Sequence, residues 1–600
     1  MAEARPLHRC DVLVIGAGGA GLRAAIAAAE AGASVAVVAK SLLGKSQTVM
    51  GAALAAVLDD GRDSWRAHCA DTLRGGREVN QWRMAQLLAE EAPQRVREME
   101  RWGALFDRAA GGGVRLGEGS GHSRGRLVRA GRHNTGLELL RTMQAQLLAR
   151  GIPLFAECAV VEILKDGGRV AGALGIRKDN GAALLFAAPT VVLAAGGIGK
   201  AYAFTSNFHD ATGDGAALAA RAGAELIDME FVQFHPTGMV APEGARGLLV
   251  AESIRNLGGV LRNASGERFM FRYVPPGYRA EIAETEAEAD AWYEDPLRPR
   301  RPPELLPRDD VSRAMESEIR AGRGTPGGGV LLDIASRRGA DFIRRSLPHM
   351  HRQFLELADV DIAAAPMEVA PTCHYMMGGV RVDPDSGEST VPGLYAAGES
   401  AGGLHGANRL NGNGISELLV FGRRAGEQAA RAAKQAGAPR IDEARVAGIE
   451  REARAPLGRI AGEDPQVLRG ELQRLMQQNA ALVRSDAGLR QLIEGIRDLR
   501  ARCAQLAAPG GAAANPAWQC ALDLRSLVLV AEAVARSALA RTESRGAHVR
   551  AEHPGQDAAL GRVNMVARLK GDALEVRAWG RDAVPAGLLE EKTAAAAAQA

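Results

Sequence analysis

A Rossmann-like α/β fold with a second domain inserted into it is what the sequence predicts, on three observations. The run DVLVIG at 11–16 is almost wholly apolar and leads through Gly16, Gly18 and Gly21 into an Ala-rich helical stretch ending near Gly32. Two later apolar runs, VVLAAGGIG at 191–199 and GLYAAGES at 393–400, also end on glycines. Between them a tract at about 240–362 carries its own Gly/Pro turns and does not thread through the same sheet.

Each element has a local reason. A continuous apolar run is the mark of a strand buried on both faces of a parallel sheet, so 11–16 and SVAVVA at 34–39 are strands flanking the first helix. Strand, G-x-G-x-x-G turn, helix and strand together form a dinucleotide-binding unit, because glycines let the backbone approach a pyrophosphate at the helix N-terminus. An acidic ribose-binding residue often follows the second strand of NAD sites; here Lys40 and Ser41 follow it, which favours a flavin. The two later glycine-ended strands close on the same nucleotide. Within the inserted tract, Ala280 to Asp290 is an acidic helix. After about 430 the period turns helical, with Val467–Val483 and Leu489–Leu506 forming a small bundle and Ala507–Pro516 a linker. The final KTAAAAAQA is a frayed tail.

Composition narrows the function class. Of 600 residues, 46% are hydrophobic and 24% charged, ordinary proportions for a folded globular chain, and the net charge of +3 is spread as single arginines. Nucleic acid is therefore excluded as a partner. The six cysteines form no C-x-x-C and no Cys/His pair at ligand spacing, so no iron–sulfur or metal site is expected in the chain, and a cytoplasmic location is. No run reaches the roughly 18 apolar residues a membrane span needs. Arg5 and Arg9 before Val12–Leu22 mimic a signal peptide, but Asp11, Arg23 and the glycine spacing argue against one.

Five long strings then carry a resemblance: TGDGAALAARAGAELIDMEFVQFHPTGMV at 212–240, RDDVSRAM at 308–315, PTCHYMMGGV at 371–380, HGANRLNGNG at 405–414, and TESRGAHVR with EHPG at 542–555. The chain resembles the flavoprotein subunit of succinate dehydrogenase and fumarate reductase, to which L-aspartate oxidase is related. The resemblance implies an FAD-binding domain in two parts (1–240 and 363–430), an α+β capping domain (241–362), a helical domain (431–540) and a small C-terminal domain with tail (541–600).

Such a site must hold a dicarboxylate against a flavin and move one proton. The resemblance makes His235, His374 and Arg409 the carboxylate-binding residues; an arginine suits a bidentate grip. It makes Arg308 the proton donor, with Glu252 and Arg255 as the relay that feeds it, although Arg308 would also serve as a plain ion pair with Asp309. Gly16, Gly18, Gly19, Ala20 and Gly21, then Lys40, Ser41, Lys45, Ser46, Gln47 and Thr48, then Ala195, Gly196, Asp214, Glu399, Arg409, Asn413 and Ile415 are assigned to FAD. Asp214 and Glu399 would accept hydrogen bonds from ribose or ribityl hydroxyls.

The sequence also departs from the family. Gln47 stands where succinate dehydrogenases carry a histidine bonded covalently to the flavin, so FAD is expected to be non-covalent, with a lower potential that favours fumarate reduction. The segment after Met50 is shorter, Ala251 replaces a threonine that contacts a substrate carboxylate, and Gly414 replaces a serine. The leading expectation is an FAD enzyme interconverting succinate and fumarate. It would exchange electrons with a separate iron–sulfur subunit, with attachment to the cytoplasmic membrane through partner or anchor subunits. The alternatives are a soluble enzyme of the L-aspartate oxidase type, a diverged paralogue acting on another dicarboxylate, or a flavin-binding scaffold whose catalysis has decayed.

Overall fold

The computed structural model describes residues 5–588 except 59–60, 62, 132–133 and 296–297; the expected tail at 592–600 lies outside the described residues. The organising element is a five-stranded sheet in the order Leu394–Ala396, Thr190–Leu193, Val12–Ile15, Val35–Val38, Leu154–Phe155, with every pair parallel. Both faces are covered, which is why the strands read as continuous apolar runs. Val12, Val14, Val35 and Val37 belong to the core shared with helices Gly19–Glu30 and Asn413–Gln435. Leu13, Ile15, Ala36 and Val38 belong to a second core, which reaches the long buried helix Pro516–Ala540.

The glycine turn is sterically obligatory. Gly16 has φ +114°, and a Cβ there would lie 2.1 Å from the Ala194 carbonyl oxygen; one on Gly21 would lie 1.9 Å from the Gly16 carbonyl oxygen. Gly21 therefore packs helix against strand.

An antiparallel sheet in the order Val232–Met239, Met367–Met376, Val330–Asp333, Val260–Arg262 forms the base of the inserted part, with its own hydrophobic core. Its first two strands lead into and out of that part, so residues next to the junction sit on a rigid ladder. The acidic helix expected at 280–290 instead runs Glu286–Glu294, because the Thr285 hydroxyl accepts the Glu288 N–H at 3.2 Å and starts it there.

Helices Pro465–Asn479, Asp486–Cys503 and Pro516–Ala540 are capped by Asp464, Ser485 and Asn515 respectively. Their apolar faces merge with the core of the parallel sheet, so the bundle is not a free-standing unit. The hairpin Val563–Lys570 and Ala573–Gly580 is likewise annexed, extending a sheet begun by Gly379–Val380 and Leu226–Ile227. Five cysteines are buried and Cys503 is partly so, all unpaired. No described helix is long and apolar enough to cross a membrane.

Candidate active site

A deep cleft, with about 1960 Å³ of atom-free space that is partly open to solvent, runs along the carboxyl ends of the parallel strands and under the inserted part. Ligands bind there in open α/β sheets because the strand ends and helix N-termini converge on that edge. Of the residues assigned to FAD, Gly16, Gly18, Gly19, Ala20, Lys40, Ser41, Lys45, Ser46, Gln47, Thr48, Ala195, Gly196, Asp214, Glu399, Arg409 and Ile415 line it.

Two assigned residues do not. Gly21 is spent on packing, and the Asn413 side chain donates to Thr72 Oγ1 at 2.9 Å and meets His68 Nε2 at 2.9 Å, away from the cleft. The Asn413 side chain thus anchors the start of its helix. Its neighbours Gly412, Gly414 and Ile415 face the cavity instead.

The lining suits a large dinucleotide. Helix Gly19–Glu30 starts at the cleft with Gly18 as a side-chain-free N-cap and no acid in its first turn, which suits a phosphate, although the Gly19 N–H donates to Thr48 Oγ1 at 3.1 Å. A Cβ on Gly196 would meet no protein atom within 4 Å, and the buried Ser46 hydroxyl lacks a partner. Glu399, half-buried, accepts the Met376 N–H at 2.9 Å; desolvation of its carboxyl pushes the pKa up to about 8. Lys40 pairs with Asp214 at 2.9 Å and Asp523 at 2.5 Å. Burial opposes its charge, but the two carboxylates outweigh that and raise its pKa. Lys40 is thus a fixed cross-link rather than a free cation.

The other end of the cleft is cationic. His374 is the extra residue in a bulge, since Gln233 pairs with Tyr375 and Phe234 with Cys373; a second irregularity follows His235. The bulges aim two rings into one space, with centroids 5.2 Å apart. Burial, reinforced for His235 by Arg308 and for His374 by Arg409, holds both imidazoles well below the usual range, so they are neutral. His235 Nδ1 accepts the Thr237 N–H at 3.2 Å and His374 Nδ1 faces the Ser206 hydroxyl at 2.9 Å. The Thr237 carbonyl also lies 3.2 Å from His235 Nδ1, and the Cys373 carbonyl 3.3 Å from the Ser206 hydroxyl; in the tautomer with Nδ1 accepting, each Nε2 carries the proton and is a donor suited to a carboxylate.

Arg308 opens helix Arg308–Glu318. Its Nε donates to Glu252 at 2.9 Å while Nη1 is buried without a partner. The ion pair weighed for Arg308 is with Glu252, because Asp309 is taken by Arg77 at 3.0 Å and by Asn408 at 2.8 Å. Arg255 does not line the cleft: it lies behind Glu252, 3.7 Å away, and donates to the Glu304 carbonyl at 2.6 Å. Burial pushes Glu252 up, but Arg308 and Arg255 outweigh it and keep the carboxylate ionised. Arg409 lies 4.2 Å over the Tyr375 ring and donates to Gln233 at 3.1 Å; burial, then Arg308, lowers it to about 10.

The departures have structural counterparts. Gln47 Oε1 accepts the Phe208 N–H at 2.8 Å. Gly51, Ala52 and Ala53 still line the cleft despite the shorter segment. Ala251 contributes no hydroxyl, but Arg129 adds a cation to the same lining. A Cβ on Gly414 would lie 3.2 Å from Arg409 Nη1 and 3.4 Å from Tyr375 Cε2, so a serine there would press on the stacked pair.

Sequence reasoning missed Arg129, Tyr375, Ser206 and Asp523. Tyr375 lies inside PTCHYMMGGV, and Asp523 is a lone acid in the apolar run WQCALDLRSLVLV, each a usable signal; Arg129 lies in no such motif.

Known proteins share both the sequence and the fold. Residues 11–415 match the FAD binding domain model and 469–579 the fumarate reductase flavoprotein C-terminal model. The chain is 40% identical to one of the subunits of the fumarate reductase (CoM/CoB) of Methanothermobacter marburgensis, over 91% of this chain and 95% of that one. It superimposes on Mycobacterium smegmatis Sdh1 in complex with UQ1 with a TM-score of 0.87 and 44% identity, covering 99% and 98% of the two chains. Against FrdA of a mutated E. coli quinol fumarate reductase the TM-score is 0.89 at 33% identity, covering 97% and 98%.

Proposed function

Because this chain belongs to the family of succinate dehydrogenase and fumarate reductase flavoprotein subunits, which are FAD-dependent oxidoreductases, we propose that it interconverts fumarate and succinate on non-covalent FAD. The observation that carries this reading is the convergence of His235, His374, Arg308 and Arg409 at the end of the cleft away from the glycine turn. The FAD supplies the two-electron exchange when bound. The residues of the chain do the rest.

Two neutral Nε2–H donors and the Arg409 fork bind and orient the carboxylates, and the cationic surround offsets the cost of desolvating a dianion. Arg308 delivers the proton to carbon. An arginine is a poor acid in water, and it serves here only because it is buried against Glu252, which returns the proton along the Glu252–Arg255 pair. With no cysteine cluster in the sequence, electrons are exchanged with a separate iron–sulfur subunit. Attachment to a membrane is peripheral, through partner subunits.

The test is anaerobic. FAD-loaded protein is reduced with dithionite and fumarate is added while the flavin absorbance is followed. Rapid reoxidation with succinate formed is expected; a reduced flavin that stays reduced overturns the reading.

A further inference from the structure

The loop Ser206–Phe208 touches both halves of the cleft. On one side Phe208 lines the cavity and its N–H is accepted by Gln47 Oε1 at 2.8 Å, with Gln47 Nε2 reaching toward the Ser206 carbonyl at 3.5 Å. On the other side Asn207 Nδ2 donates to the His374 carbonyl at 2.7 Å, and Ser206 Oγ meets His374 Nδ1 at 2.9 Å. The Ser206 N–H also donates to the Cys373 carbonyl at 2.9 Å. His374 needs this support, since as the extra residue of a bulge it has no ladder partner of its own.

We propose that Gln47 and the loop Ser206–Phe208 form a positioning device that holds the ring of His374 in the orientation and tautomer that donate to a substrate carboxylate. This deepens the dicarboxylate reading and rests on it. The Ser206 hydroxyl has two acceptors in reach, the Cys373 carbonyl at 3.3 Å and the nearer His374 Nδ1 at 2.9 Å; when it donates to Nδ1, the ring proton resides on Nε2 and faces the anion. Gln47 acts at one remove: its amide oxygen fixes the Phe208 end of the loop, and so the place of Ser206. The residue that occupies the covalent-attachment position of the family thereby gains a second job in this chain, linking the cofactor half of the cleft to the carboxylate half.

The test uses FAD-loaded Gln47→Leu, Gln47→Glu and Ser206→Ala. Malonate is titrated into the oxidised holoenzyme, with binding read from the flavin absorbance, and fumarate KM and kcat are measured separately. Loss of one neutral hydrogen bond is expected to weaken malonate and raise the fumarate KM by about 3- to 10-fold, with kcat less affected. Gln47→Glu, which keeps an acceptor for Phe208, is expected to restore most of the affinity. Wild-type malonate affinity in both Gln47→Leu and Ser206→Ala overturns the device, and wild-type affinity in Gln47→Leu alone removes Gln47 from it. Should Gln47→Leu fail to hold FAD, Ser206→Ala decides, because Ser206 does not line the cavity. A wild-type holoenzyme that neither binds malonate nor is reoxidised by fumarate instead overturns the dicarboxylate reading itself.

Discussion

Replacing Arg308 by glutamine removes the only proton that the proposed mechanism delivers to carbon. The side chain is 9% exposed, is held by a 2.9 Å bond to Glu252, and leaves Nη1 without a protein partner. Glutamine is shorter, carries no charge and cannot supply a proton. General acid catalysis contributes about 10² to 10⁴ in rate, or ~2.7 to 5.4 kcal/mol at 1.36 kcal/mol per decade. Fumarate-driven reoxidation is therefore expected to slow by at least about 100-fold. FAD content should not change, because Arg308 lies in the inserted part at the carboxylate end of the cleft, away from the glycine turn. Glu252 keeps Arg255 at 3.7 Å, so the fold survives. Arg308 holds the Glu252 pKa down, so its loss raises that pKa, and the acid limb of any residual activity moves to higher pH. The assay is stopped-flow reoxidation of the dithionite-reduced holoenzyme across pH. A variant with normal FAD and a rate within tenfold of wild type would refute the proton-donor assignment.

Three further outcomes follow from the same geometry. Both substrate-end histidines have pKa values well below the ordinary range, so malonate affinity should show no histidine inflection near pH 6.5; a tenfold loss per pH unit there would mean the rings bind as cations. Glu399 is held protonated in the fold, with its pKa raised from 4.5 to about 8. Between those values the folded state binds one more proton than the unfolded state, so stability present below pH 4.5 is lost as pH rises through 8. Thermal melts of FAD-free protein should show this slope and Glu399→Gln should flatten it; an unchanged slope would place the proton elsewhere. Finally, Gln47 cannot bond the flavin, so acid precipitation should leave all the FAD in the supernatant; flavin pelleting with the protein would contradict that.

Much of this protein is local and legible in the chain. The apolar run at 11–16, the glycines at 16, 18 and 21 and the helix after them state their fold because strand period, helix period and the steric demand at Gly16 act within a few residues. The types of His235, His374, Arg308 and Arg409 were also readable, carried by long strings, but not that the two histidines sit on paired strands and Arg308 at a helix start. What the tertiary structure decided is pairing over distance. Asn413 turned to Thr72 and His68, hundreds of residues away in sequence, and Lys40 was locked by Asp523 on a helix from the far end of the chain. The helical bundle and the C-terminal hairpin gave up separate cores to share that of the parallel sheet. The placement of His374 in a bulge, and its support by a loop that Gln47 holds, likewise depend on register and packing. Such contacts arise from the free energy of burying surfaces together, and that energy is set by the whole fold rather than by neighbours in sequence.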